Sequence, residues 1–180
     1  MIVTLGYRIR GSGSLGIASR AVIGRHRNPT RNLMPEVIGI DHIYIAVSDL
    51  ERSEQFYDCV MAVLAFRKNQ FEIEGERHIQ YFNRHFGYIL RPARNKQVHD
   101  SYAPGLHHLC LRVESAAEVS EAAQMLKERG LAVTEAERYP QYAPDYVACF
   151  LSDPDGVRLE ITNYRLERRE RHDRWNEVGP

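Results

Sequence analysis

The 180-residue chain balances 24 Lys and Arg against 24 Asp and Glu and is 43% hydrophobic, enough for one domain with its own core. Residues 1–35 hold six arginines and no acid, which leaves 18 basic against 24 acidic side chains in the body; an acidic body without a basic face argues against nucleic acid as a partner. No stretch approaches the roughly 18 uninterrupted apolar residues of a membrane helix, and three cysteines without a Cys-x-x-Cys pair make neither a disulfide framework nor a structural zinc site, so a cytoplasmic protein away from the membrane is expected.

Residues 1–35, rich in Gly, Ser and Arg, read as a disordered leader. An organellar transit peptide has this composition; a start codon assigned too early, with Met34 as the true first residue, is the reading we favour. A first module spans residues 36–92. From Ile40 the apolar residues alternate, with Ile43, Ile45 and Val47 on one strand face and His42, Tyr44 and Ala46 on the other. Ser48 and Glu51 have the spacing of a capping box, and Leu50, Phe56, Val60 and Leu64 recur at helical intervals, which predicts a helix of about four turns laid on a sheet. Strand candidates follow at 66–71, 77–82 and 87–91, completing a βαβββ unit.

A polar, proline-bearing linker, residues 93–105, separates this unit from a second, residues 106–164. A shift of 66 residues lays His42 on His108, Val47 on Val113, Phe56 on Ala122 and Val60 on Leu126. One constant offset through a strand and its helix marks a duplicated module rather than a solenoid. In the second copy Leu109, Leu111 and Val113 share one face and His108, Cys110 and Arg112 the other. Ser115 and Glu118 form the second capping-box pattern, Val119, Ala122 and Leu126 the helix stripe, and Gly130 the stop. Strands are predicted at 131–136, 146–151 and 157–163, the last two joined by the turn Asp153-Pro-Asp-Gly156. Residues 165–180 read as a charged helical tail with Glu167/Arg171 and Glu170/Arg174 one turn apart, Trp175 docking it on the body or on a second subunit. The fold class is therefore α+β, tandem βαβββ modules forming a curved mixed sheet around a central cleft, plus a C-terminal charged helix.

Parity locates the chemistry. Val157, Leu159 and Ile161 share a face, so Glu160 takes the opposite one, as His42 and His108 do in their strands. A single strand histidine is usually a core or edge residue, and His107, of opposite parity, is the weaker candidate. Matched histidines in both copies plus a carboxylate are harder to assign to packing, because an unpaired buried carboxylate costs several kcal/mol. Two imidazoles and one carboxylate hold a divalent metal with coordination positions left open. Tyr44, Tyr146 and Phe150 share the inward parity as candidate pocket walls, and Cys110 joins them as a small filler. His78, His85 and His99 are assigned to loops or edges.

The motifs Asp41-His-Ile-Tyr-Ile-Ala-Val47, His107-His-Leu-Cys-Leu-Arg-Val113 and Asp153-Pro-Asp-Gly-Val-Arg-Leu-Glu160 resemble the vicinal oxygen chelate superfamily, which includes glyoxalase I, extradiol dioxygenases, fosfomycin-resistance thiol transferases and bleomycin-binding proteins. The resemblance covers residues 38–164. It implies that His42, His108 and Glu160 are metal ligands, that the ion (Fe, Mn, Ni or Zn) grips two adjacent oxygens of a small substrate, and that the protein forms a homodimer. Glyoxalase I normally adds an acid on the last strand of the first module, where counting from Gly87 gives Arg91, a group suited instead to an anionic substrate or a salt bridge. Extradiol dioxygenases carry a Tyr where Phe150 stands and a His upstream where residues 141–144 have none. A glyoxalase-like lyase or isomerase is therefore expected, with Tyr44 or a metal-bound hydroxide as base; an extradiol-type dioxygenase and a non-catalytic binding protein are the alternatives.

Overall fold

The computed structural model describes residues 35–95 and 97–177, so the expectations for the leader and for Met34 fall outside the described residues. Elements run in the order β1 (His42–Val47), α1 (Leu50–Val63), β2 (Arg67–Ile73), β3 (Glu76–Phe82), β4 (Gly87–Pro92), β5 (Leu109–Val113), α2 (Ala116–Glu128), β6 (Glu137–Arg138), β7 (Val147–Ser152), β8 (Arg158–Asn163) and α3 (Leu166–Asp173). This is an α+β fold of tandem βαβββ modules. Its strands form two four-stranded mixed sheets, β1-β4-β3-β2 and β5-β8-β7-β6. In each, the first strand runs parallel to the last of its module and the remaining pairs are antiparallel, the same topology twice.

The helices keep the duplication in their buried residues. Ser53, Tyr57, Val60 and Met61 are buried on α1, and Val119, Ala122, Ala123 and Leu126 on α2. The 66-residue shift superimposes Ser53, Tyr57 and Val60 on Val119, Ala123 and Leu126. The inward stripe of α1 is thus turned from the predicted one: Leu50 and Phe56 are only partly buried, because the amphipathic Tyr57 occupies the centre and keeps its hydroxyl paired inside.

That pairing joins the modules. Tyr57 hydroxyl lies 2.8 Å from Tyr88 hydroxyl and donates to Asp153 Oδ2 at 2.9 Å, while Asp153 Oδ1 accepts the amides of Asp155 and Val157. Burial pushes the Asp153 carboxyl above its ordinary range. Asp155 in the same turn accepts from the Ser48 amide at 2.7 Å, the Ser48 hydroxyl and Arg52. Ser48 is therefore not the helix cap. Asp49 is, its carboxylate accepting the Arg52 amide at 3.0 Å. In the second module Ser115 caps α2 as expected, accepting the Glu118 amide at 3.2 Å, and Glu118 reaches back to the amide of Glu114 rather than of Ser115. Gly130, at φ +81°, terminates the helix in a left-handed conformation.

The strand predicted at 131–136 is not formed. Only Val133 bridges, to Leu151, and regular pairing starts at Glu137. At Thr134 the ladder is half made: its amide donates to the Phe150 carbonyl at 3.0 Å, but its hydroxyl, not a main-chain carbonyl, accepts the Phe150 amide at 2.9 Å. In α3 the Glu167/Arg171 pair is present at 3.8 Å, but Arg174 caps the helix and turns to Glu177 instead of Glu170. Arg169 anchors this helix, lying 4.4 Å from the centre of the Tyr164 ring, which Arg112 also approaches at 4.1 Å, and donating to the Glu114 carbonyl. Trp175 remains 54% exposed. No helix among the described residues is long and apolar enough to cross a membrane.

Helix α1 packs on β4 and β2, α2 on β7, β8 and β5, and the two helices on each other. Val47, Val60, Leu90, Leu126, Leu159 and Ile161 meet in one core shared by both modules. The other face of each sheet looks away from that core.

Candidate metal centre and its surroundings

On the second sheet the register places Cys110 beside Glu160 and Glu160 beside Phe150, one row across three strands. His108, just before β5, brings Nε2 to 3.2 Å from Glu160 Oε2. Two ligand atoms each about 2.1 Å from one ion and at right angles lie about 3 Å apart, so this spacing suits two adjacent ligands. His108 Nδ1 lies 2.7 Å from His107 Nδ1, leaving Nε2 as the nitrogen turned to the carboxylate. Glu160 is only 5% exposed, and its other oxygen accepts the Tyr146 hydroxyl at 2.5 Å. Burial first, then that hydrogen bond, raises the phenol above its ordinary range. Desolvation, followed by the Glu160 charge, pushes the Cys110 thiol up to about 12.

His42 stands on the outward face of the first sheet, its Nδ1 2.7 Å from Asp41 Oδ2. A carboxylate on one ring nitrogen orients the other for a metal. Gly87 lies beside His42 in the parallel pair. The His42 ring meets Tyr44 edge-on at 5.5 Å, and Tyr44 meets His78 in the same way at 5.8 Å. A cavity of about 330 Å³ opens here, lined by Tyr44, Glu76, His78, Arg91 and Arg94 among others.

Two sequence expectations change on this face. His78 is not on a loop or edge: it lies in β3, which pairs on both sides, and is 2% exposed, stacked on Phe71 with Nδ1 2.8 Å from the Glu76 carbonyl oxygen. Its alternation with Gln80 and Phe82 was the available signal. Register, moreover, pairs Tyr44 with Ile89 as it pairs Cys110 with Glu160. Ile89, not Arg91, is therefore the first module's counterpart of Glu160, and an apolar residue there offers no fourth ligand. Arg91 forms an ion pair with Glu76.

The structure thus brings Glu160, His108, Tyr146, Cys110 and Phe150 together on one sheet, and His42, Tyr44 and Arg91 on the other. Among the described residues of a single chain, no three His, Cys, Asp or Glu side chains converge as a metal cage. The donor chemistry of each half fits a divalent ion: the second sheet brings an imidazole and a carboxylate within 3.2 Å of each other, and the first holds a single imidazole against Asp41.

A duplicated βαβββ plan, with imidazole and carboxylate side chains on the outward sheet faces, is the architecture that places this chain among its relatives. The chain belongs to the glyoxalase/bleomycin resistance protein/dioxygenase superfamily, whose family model matches residues 41–150. It is 28% identical over 124 residues to the uncharacterized protein YqjT of Bacillus subtilis (strain 168), covering 67% of this chain and 94% of that protein. A glyoxylase/bleomycin resistance protein/dioxygenase domain from Frankia sp. EAN1pec superimposes with a TM-score of 0.60 at 21% identity, covering 72% of this chain and all of that one. Lactoylglutathione lyase from Agrobacterium tumefaciens gives 0.50 at 20% identity, covering 72% and 94%. At these identities the two structures support the fold alone.

Proposed function

We propose that the protein is a divalent-metal-dependent vicinal oxygen chelate enzyme, a glyoxalase-like lyase or isomerase acting on a small substrate with adjacent oxygens. The observation that carries this reading is the 3.2 Å approach of His108 Nε2 to Glu160 Oε2 on a face that looks away from the core. His42, with its Nε2 left free by Asp41, completes the set when a second copy presents its first sheet to the second sheet of this one. A bound ion supplies Lewis-acid stabilisation of charge developing on substrate oxygens, worth several kcal/mol. Tyr44, beside His42 and 41% exposed, is the group we assign to proton movement. Arg91, tied to Glu76 at the cavity wall, would turn an N–H edge to an anionic substrate group. Phe150 supplies an apolar wall where ring-cleaving relatives carry an acid-base tyrosine, which favours lyase or isomerase chemistry over extradiol cleavage.

A second reading, a cleft that binds a small molecule without turnover, is favoured by one observation: a single chain gathers only two of the three donors. Metal analysis of the purified protein separates the two. Stoichiometric Fe, Mn, Ni or Zn, lost in Glu160→Ala without loss of fold, supports the enzyme, and turnover of hemithioacetals but not catechols would fix the subclass. A wild-type protein unable to take up any divalent ion would leave the binding reading.

A further inference from the structure

The Glu160 carboxylate has two oxygens in unlike surroundings, and Tyr146 makes them so. Oε2 faces the His108 imidazole at 3.2 Å, whereas Oε1 accepts the Tyr146 hydroxyl at 2.5 Å. A carboxylate 5% exposed must have its lone pairs satisfied or move. A phenol brings a single proton and so satisfies one oxygen and leaves the other.

The phenol is itself held in place. Tyr146 adjoins the first residue of β7, its amide donating to the Ala143 carbonyl at 3.1 Å and its carbonyl accepting the Tyr139 amide at 2.9 Å. The Tyr142 ring meets its ring edge-on at 5.4 Å, and the Arg165 guanidinium lies 5.0 Å from the ring centroid. Backbone, a neighbouring ring and a cation thus aim one hydroxyl at one oxygen.

We infer that Tyr146 is a positioning residue, not a pocket wall: by occupying Oε1 it holds Glu160 as a one-oxygen ligand, with Oε2 presented alongside His108 Nε2. The inference rests on the proposed metal-binding reading. It belongs to the outer-shell class of contacts whose loss typically lowers metal affinity about 10- to 100-fold.

Cobalt(II) titration of the metal-free full-length protein, followed by visible absorption, tests it. Tyr146→Phe keeps the ring and removes one oxygen; its affinity should fall about 10- to 100-fold and its absorption bands should change as the carboxylate loses its fixed orientation. Tyr142→Phe, which deletes the neighbouring hydroxyl, should match wild type, and Tyr146→His, which restores an N–H donor, should recover part of the loss. Circular dichroism of the metal-free variants confirms their fold. Wild-type binding with an unchanged affinity and spectrum in Tyr146→Phe would overturn this inference and leave the proposed function standing. An equal loss in Tyr142→Phe would reduce Tyr146 to packing. Absence of cobalt uptake by the wild type would overturn both.

Discussion

Asp153 sits where the two modules meet, and its burial makes it a reporter of their contact. Its folded carboxyl is raised above the unfolded range, so ionising it opposes folding, and this cost disappears as pH falls through the folded value. Asn at this position can accept the same two amides and donate to Tyr57, whose hydroxyl can then donate to Tyr88. Asp153→Asn should therefore be at least as stable as wild type at neutral pH, with an advantage that shrinks on acidification; urea titrations across pH measure it, and an advantage that grows toward acid would reverse the sign. Cys110 offers a second residue-scale test. With its thiol pushed up to about 12, alkylation at Cys110 should quicken about tenfold per pH unit between about pH 7 and 9 without a plateau. Peptide-resolved labelling would detect a plateau if the thiol were activated. Side-chain parity made the Glu160 and His108 positions legible in the sequence, but the partners of those groups were not. Alternation tells which face Tyr146 takes and says nothing of what its hydroxyl reaches, so its hydrogen bond to Glu160 is visible only in the structure.

Elements were legible wherever local chemistry alone decides them. The α2 cap, its glycine stop and the Asp153–Gly156 turn depend on residues within a few positions of each other and formed as expected. Two failures had tertiary causes. Ser48 has the right spacing for a cap, yet Asp155, 107 residues away, takes both its amide and its hydroxyl, and Asp49 caps in its place. In 131–136 the alternation was sound, but the Thr134 hydroxyl replaced a ladder acceptor. These assignments separate in a double-mutant cycle. Ser48→Ala and Asp155→Ala should couple by about 0.5–3 kcal/mol, as contacting residues do. Asp49→Ala should instead cost about 1 kcal/mol as a lost helix cap and add to Asp155→Ala. No coupling between Ser48 and Asp155, together with no cost for Asp49→Ala, would restore the capping-box reading.

For the whole molecule, the 66-residue repeat carried the architecture: two modules of one topology, each laying an amphipathic helix on its sheet. What the repeat left open was how two equal modules face each other. Their apolar faces share a core, which turns the opposite sheet faces outward and divides the proposed ligands between His42 on one sheet and His108 with Glu160 on the other. Shared-core packing can be checked apart from the metal: Leu126→Ala, at a fully buried position, should cost about 2–5 kcal/mol in chemical denaturation. The division of ligands makes a stricter demand, because in a two-fold dimer each complete site would draw His42 from one copy and His108 and Glu160 from the other. His42→Ala and Glu160→Ala should each fail to retain metal. Unfolded together at equal concentration and refolded, they should regain about one quarter of the wild-type metal, since about half the dimers are mixed and each mixed dimer holds one intact site. Recovery of that fraction is the outcome this account predicts; no recovery by a mixture that does form mixed dimers would contradict it.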